Sequence, residues 1–284
     1  MSRVKVLFVY NKKAGKKFEP SVVNQITELI PQSIDFLFVD IREFDAYDTS
    51  SFDSIVAIGG DGTINTVASR CTKQQKTLGI IPKGSGDGLA RFLGIPRNLN
   101  QALEIFLNGK TIAIDTASVS NTFFINVAGA GFEAKVAHKF GAGGVRGLKG
   151  YAKTILDLFT KEKEKEVTLT IEGVETTLPF FSISIANGAQ WGNDFEIASA
   201  ADIQDGLLDI AIMRKPKWYQ IALLVSYLRT KKQKNNKLFT YYKASKLSIK
   251  RSGKKWHIDG EPVILKNKKD VVLNPKSLNV MIAK

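Results

Sequence analysis

The chain has 284 residues, 44% hydrophobic and 24% charged, which excludes disorder, and no run approaches the roughly 18 apolar residues of a membrane span. Its net charge of +14 is uneven: residues 1–212 carry 22 Lys+Arg and 24 Asp+Glu, residues 213–284 carry 19 and 3. The basic excess is therefore C-terminal and points to a polyanionic partner, anionic lipid or nucleic acid, with a lysine coat for solubility as the bland alternative.

At roughly 150 residues per domain the length suits two domains. Met1–Tyr10 alternates and enters a strand at once, leaving no room for a secretory signal. Together with the single cysteine, Cys71, which excludes an intramolecular disulfide, this reads as a cytoplasmic protein.

The first half of the pattern is α/β. Strands are predicted over 4–11, 34–39, 54–58 and 77–81, and helices over 18–30 and 63–71. Two polar, glycine-rich loops leave predicted strand ends, Gly59-Gly60-Asp61-Gly62-Thr63-Ile64-Asn65 and Pro82-Lys83-Gly84-Ser85-Gly86-Asp87-Gly88, the place where open α/β sheets bind ligands. Three glycines in four positions let a polyanion reach the backbone N–H groups, with Thr63 predicted to cap the following helix. Asp61 would repel phosphate unless a cation lay between them, which makes Mg²⁺ the expected companion. As a bare motif, Gly59–Gly62 equally fits a tight strand-to-helix turn.

From about Thr111 the texture becomes β-rich. Strands are predicted over 112–120, 122–128, 166–171, 180–187, 207–213, 246–250 and 270–273, and helices over 132–140, 151–159 and 217–229. The run 277–282 reads as a strand returning to either sheet. The expected fold is an α/β nucleotide domain with a parallel sheet (1–112, with 277–283 a candidate to rejoin it), followed by a mostly antiparallel β-rich domain (113–276).

Several signatures are excluded. The 11–17 loop lacks the upstream glycine and following Ser or Thr of a Walker P-loop, and Gly129-Ala130-Gly131 reads as a tight turn because no acid-ended second strand follows it. Two histidines and one cysteine leave almost no material for zinc or a Cys/His nucleophile. Lys161–Glu166 reads as a solvated helix end. Lys215–Arg229 joins Trp218 and Tyr219, placed like interfacial anchors, to an apolar stripe of Leu223, Leu224 and Leu228 read as core, and to Lys231, Lys232, Lys234 and Lys237.

The two glycine loops, together with Asp205-Gly206-Leu207-Leu208-Asp209 and Asp259-Gly260-Glu261, resemble in order the motifs of the diacylglycerol kinase catalytic-domain family, which includes YegS-type, sphingosine and ceramide kinases. The resemblance spans Asn11 to Glu261. It implies an ATP-dependent lipid kinase that uses Mg²⁺, acts on a lipid substrate at an anionic membrane surface as a cytoplasmic, peripherally associated protein, and binds no nucleic acid. Asn11, Gly59, Gly60, Asp61, Gly62, Thr63, Asn65 and Ser85 would hold the nucleotide, with Asp61 working through Mg²⁺. Glu261 would be the general base, approaching Asp61 across the domain cleft. Lys16, Lys83, Arg146 and Lys149 are candidate phosphate-neutralising cations. Asp202, Asp205 and the Leu207 carbonyl would bind a second, structural Mg²⁺.

The loop departs from the usual bacterial pattern at Ser85, Asp87 and Gly88; its Ser85-Gly86 is closer to sphingosine and ceramide kinases, which tilts the substrate slightly toward a sphingoid or amide-linked lipid, and Asp87 in place of an amide is put forward as a residue that weakens nucleotide binding. The alternatives are an NAD kinase-like phosphotransferase and a non-catalytic lipid- or nucleic-acid-binding module on a kinase scaffold.

Overall fold

The computed structural model describes residues 3–12, 20–84, 86–141, 148–188, 190–192, 195–198, 200–230, 237–266 and 268–284. By internal contacts the chain divides into two units, 1–115 with 275–284, and 116–274. The strands at 110–119 and 269–282 carry the chain from one to the other.

In the first unit, strands and helices alternate: β1 (Val4–Tyr10), α1 (Pro20–Leu29), β2 (Ile34–Asp40), α2 (Ile41–Phe44), β3 (Ser54–Gly59), α3 (Asp61–Gln74), β4 (Thr77–Pro82), α4 (Gly88–Phe92) and α5 (Leu99–Asn108). The strands pair in parallel in the order β2-β1-β3-β4, and Asn279–Val280 pairs in parallel with Thr77–Leu78 beyond β4. The C-terminal run therefore returns to the parallel sheet. β1, β3 and β4 read as near-continuous apolar runs because both their faces are buried. Gly79 is held small by packing, since a Cβ there would stand 2.6 Å from the Phe106 ring of α5.

The second unit follows β5 (Lys110–Val119) with β6 (Thr122–Phe124), β7 (Val127–Gly131), α6 (Phe132–Gly141), α7 (Leu148–Lys161), β8 (Lys165–Ile171), β9 (Val174–Phe180), β10 (Ser182–Ala186), β11 (Gln190–Gly192), β12 (Phe195–Glu196), β13 (Leu208–Met213), a 3₁₀ turn at 218–220, α8 (Ile221–Thr230), β14 (Phe239–Ala244), β15 (Lys246–Lys250), β16 (Lys255–Ile258), β17 (Glu261–Ile264) and β18 (Lys269–Ile282). One antiparallel sheet runs β14-β13-β10-β7-β16-β17, and in another antiparallel group the first residues of β18 pair with β15, β15 with β8, and β8 with β9. Side chains from both groups, among them Ile185, Ile210, Leu169, Ile249, Val271 and Trp256, meet in one core. A second core on the other face of β13 takes Leu224 and Leu228 of α8. The expected fold class, an α/β domain with a parallel sheet and a mostly antiparallel β domain, is the one observed.

Local expectations are corrected in several places. The predicted strand 122–128 is two strands, because Asp259 captures the backbone between them. Gly129–Gly131 is no free turn: it ends β7 and passes directly into α6, with Gly131 at φ +84° beside the Phe181 carbonyl. The 161–166 segment is not simply solvated. Glu162 is buried and forms ion pairs with Lys135 and Lys165. Leu223 is half exposed, so the apolar stripe of α8 is narrower than expected.

Lys269 is fully buried, with Nζ 2.5 Å from the Gly253 carbonyl and 5.7 Å from the centre of the Trp256 ring. Burial pushes its ammonium down to about 8. Because the folded value lies below the unfolded one, the unfolded chain binds more protons as pH rises from about 8 toward about 10.5, and stability increases over that window. We expect urea melts of the wild type to gain up to about 2 kcal/mol relative to Lys269→Met between about pH 7.5 and about pH 9.5. Parallel pH profiles for the two proteins would contradict this.

Candidate active site

At the carboxyl ends of β3 and β4 the two glycine loops lie against each other. The Lys83 N–H donates to the Gly59 carbonyl at 2.8 Å, and a Cβ on Gly60 would stand 3.1 Å from the Cα of Gly84. Both positions are glycine because the two backbones touch. α3 begins at Asp61, two residues before the predicted start. Its N-cap is Gly60, which supplies no side-chain hydrogen bond, so Thr63 is not the cap. Thr63 is instead buried in the first turn, where its hydroxyl accepts from Asn11 Nδ2 at 3.3 Å. Asn11 is brought there by its own N–H, which donates to the Ile58 carbonyl at the end of β3.

Asp61 links the loops from the first turn of α3. Its Oδ1 accepts from the Gly88 N–H at 2.8 Å, and a Cβ on residue 86 would stand 2.9 Å from Oδ2. A side chain at 86 would crowd the carboxylate, so glycine there keeps it clear, and a carboxylate oxygen in this place is the donor type that could hold a hard cation. Gly62 and Asn65 share the first turns of α3. Ser85, Lys16 and Arg146 lie outside the described residues, as does the Lys149 side chain.

Asp87 has a role the sequence did not suggest. It is fully buried, in the left-handed region at φ 50°, and turned into its own loop. Its Oδ1 accepts from the Gly84 N–H at 2.8 Å, and its Oδ2 from Arg97 Nε at 2.7 Å, while Arg97 also donates to the Gly84 carbonyl at 3.0 Å. The expected weakening of nucleotide binding is therefore replaced by a structural account: the carboxylate shapes the loop from behind. Arg97, which completes the arrangement, carries no motif of its own and was missed.

In the second unit, Asp259 and Gly260 form the two-residue turn between β16 and β17, at φ 48° and 89°, with Ile258 opposite Glu261. Positive φ at both positions is what a type I′ hairpin requires. The Asp259 carboxylate also accepts from the N–H groups of Ile125, Asn126 and Val127 at 2.9–3.0 Å. Glu261 is exposed at the first residue of β17. Beneath the turn, His257 Nδ1 accepts from the Gly260 N–H at 3.4 Å, and its Nε2 lies 3.6 Å from Glu133 Oε1. The Glu133 side chain is 8% exposed, and this burial pushes its carboxyl above the ordinary range against the opposing pull of His257 and Ser184. A Cβ on Gly129 would collide with that carboxylate.

At the expected second metal site, both carboxylates already have partners. Asp202 Oδ1 accepts from the Gln204 N–H, Asp205 Oδ1 from the Leu207 N–H, and Asp205 Oδ2 from Lys243 Nζ at 2.8 Å. An ammonium group thus holds one of the carboxylate oxygens expected to bind the divalent cation. Among the described residues, no cluster of three or more acidic, histidine or cysteine side chains could hold a metal ion.

Residues 5–119 match the diacylglycerol kinase catalytic domain family, and residues 126–282 match the YegS C-terminal NAD kinase beta sandwich-like domain. The chain belongs to the diacylglycerol kinase catalytic-domain family, in its YegS-like branch. It is 28% identical over 218 residues to the diacylglycerol kinase of Bacillus subtilis strain 168, covering 74% of this chain and 71% of that one. It is 30% identical over 166 residues to a "Probable lipid kinase YegS-like" protein of Chromohalobacter salexigens, covering 56% of this chain and 53% of that protein. The chain thus spans about half the length of several curated relatives it matches. A crystal structure of a diacylglycerol kinase from Bacillus anthracis str. Sterne superimposes with a TM-score of 0.74 at 20% identity, covering 98% of this chain and 96% of that one, a likeness of fold.

The loop geometry gives a direct expectation. Asp87→Ala deprives Gly84 N–H and Arg97 of their acceptor and puts alanine at positive φ, so it should destabilise the first unit by about 2–4 kcal/mol, discounted for the half-exposed arginine. Asp87→Asn keeps an oxygen acceptor and a residue tolerant of that conformation, and should cost about half as much. Chemical denaturation of the two variants checks the order; equal, negligible losses would remove Asp87 from its anchoring role.

Proposed function

We propose that this chain is an ATP-dependent lipid kinase that transfers the γ-phosphoryl group to a hydroxyl of a diacylglycerol- or sphingoid-type lipid. The observation that carries the reading is the junction of the two glycine loops at the N-terminus of α3, tied by Asp61 and lacking a side-chain cap. The first-turn N–H groups of α3 have no partner within the helix, and with the helix dipole they attract phosphate. Asn11 and Thr63 add polar contacts from the same side. Bound beside Asp61, Mg²⁺ would neutralise phosphate charge. Glu261, exposed on a hairpin anchored by Asp259, takes the proton of the lipid hydroxyl. Phosphoryl transfer passes through a loose transition state, so positioning contributes more than strong basicity and an ordinary carboxylate suffices.

Membrane access is assigned to the 3₁₀ turn before α8. Trp218 is 81% exposed and Tyr219 58%, and Lys217 Nζ lies over the Tyr219 ring. Aromatic edges beside lysines suit the headgroup layer of an anionic bilayer. No described helix is long and apolar enough to cross a membrane, so the chain would lie on the surface through this segment.

The test is incubation with labelled ATP and a panel of diacylglycerol, monoacylglycerol, phosphatidylglycerol, sphingoid base and ceramide. We expect label in at least one lipid, and its loss by at least about 100-fold in Asp61→Asn and Glu261→Gln with unchanged melting. Asp61→Asn keeps an oxygen for the Gly88 N–H, so lost activity there reports charge. Full activity in either variant would remove that residue's role. The match of the second unit to an NAD kinase-like sandwich keeps one alternative open to the same assay: label in NAD with none in any lipid would replace the lipid reading.

For membrane access, Trp218→Ser/Tyr219→Ser should reduce flotation with anionic vesicles roughly tenfold, both side chains being largely solvent-exposed without vesicles. Unchanged flotation would move the contact elsewhere.

A further inference from the structure

Away from the glycine loops, one ionic cluster is built on the sheet itself. β13 and β14 are antiparallel neighbours, and their register sets Lys243 directly opposite Asp209. Lys243 Nζ lies 3.2 Å from the buried Asp209 carboxylate and 2.8 Å from Asp205 in the loop entering β13. Within the loop, Asp202 accepts from Gln204 N–H and Asp205 from Leu207 N–H, with Gly206 at φ +74° turning the backbone between them.

We propose that Lys243 is the resident counter-ion of the 202–209 loop, taking the place in which family resemblance puts a divalent cation, so that this loop keeps its shape without metal. Three arguments support it. The ammonium is delivered by a strand whose register is fixed, so its local concentration does not depend on free metal, whereas a bound ion stabilises only in proportion to its occupancy. It also occupies Asp205 Oδ2, and a divalent ion coordinating that oxygen would be placed against a like charge only a few ångströms away. Finally, a partly exposed lysine can meet two carboxylates at flexible angles and leave its remaining N–H to water, whereas Mg²⁺ needs near-octahedral oxygen geometry.

The proposal is independent of the lipid kinase reading. Its test is thermal unfolding of the full chain without nucleotide, in EDTA and in millimolar Mg²⁺ or Ca²⁺, beside Mn²⁺ binding by equilibrium dialysis. The wild type should melt at the same midpoint in both conditions. Lys243→Met should melt roughly 3–6 °C lower in EDTA, recover part of that on adding the divalent ion, and bind one more Mn²⁺ per chain than the wild type. Adding Asp205→Asn to Lys243→Met should abolish both gains. Any metal held near Asp61 is common to both proteins and cancels in the comparison. The inference is overturned if wild-type protein retains stoichiometric metal that Asp205→Asn releases, or if EDTA lowers the wild-type midpoint through Asp205. It is equally overturned if Lys243→Met acquires no dependence on divalent ions. Should Lys243→Met fail to fold, the wild-type metal content and EDTA response still decide the matter, with Lys243→Arg as the charge-preserving partner.

Discussion

The N-terminal site depends on one close approach, the contact of the β3 and β4 loops through Gly60 and Gly84. Two backbones can pack this tightly only where neither carries a Cβ, and once they do, three bonds become available in register: Lys83 N–H to Gly59 carbonyl, Gly88 N–H to Asp61, and Gly84 N–H to Asp87. The glycines thus serve the loop-to-loop packing first. Access for an anion is a consequence, because the same packing leaves the N-terminus of α3 open and fixes Asp61 beside it. A side chain at Gly84 would strike both Gly60 and the Asp87 carboxylate, so the loops stand or fall together.

The second unit uses carboxylates in a related way. Asp259 spends its oxygens on three consecutive backbone N–H groups between β6 and β7, fastening a turn at the edge of the sheet to its interior. A carboxylate that accepts several N–H groups is a strong local organiser, and the neighbouring Glu261 inherits a fixed position while remaining solvent-facing. His257 and Glu133 support the hairpin from beneath. An Asp-Gly turn read only as a turn and the same motif read only as a catalytic signature are two descriptions of one object: the left-handed geometry at 259 and 260 is what presents residue 261.

Much of this was legible in the sequence because it is local. Apolar runs ending in glycine loops gave the parallel strands, and Asp259-Gly260 contains its own turn chemistry. What escaped was set by pairing across distance. β9 and β17 carry Pro179 and Pro262, which argue against a strand in a linear reading, yet both strands lie at sheet edges where proline is tolerated. Without β14, the register that brings Lys243 to Asp209 could not be drawn, and the acidic loop looked like metal ligands awaiting an ion. Asp87 was misjudged for a related reason. Its partner Arg97 is ten residues away beyond a helix, and nothing in the spacing shows that the side chain turns inward.

The basic C-terminal third changes meaning when charge is counted by folded unit. The split at residue 212 cuts through the second unit, which as a whole carries 25 Lys+Arg against 15 Asp+Glu, while the first carries 16 against 12. Four of the nineteen late cations answer earlier negative charge: Arg214 pairs with Glu164, Lys250 with Glu175, Arg251 with Glu166, and Lys243 with Asp205 and Asp209. Such pairs add little stability where exposed, but they remove those cations from a field that could steer a polyanion. An anionic surface therefore meets a more modest excess than the linear count suggests. In the proposed membrane role, the exposed Trp218 and Tyr219, whose insertion does not depend on net charge, would supply a correspondingly larger share of the affinity.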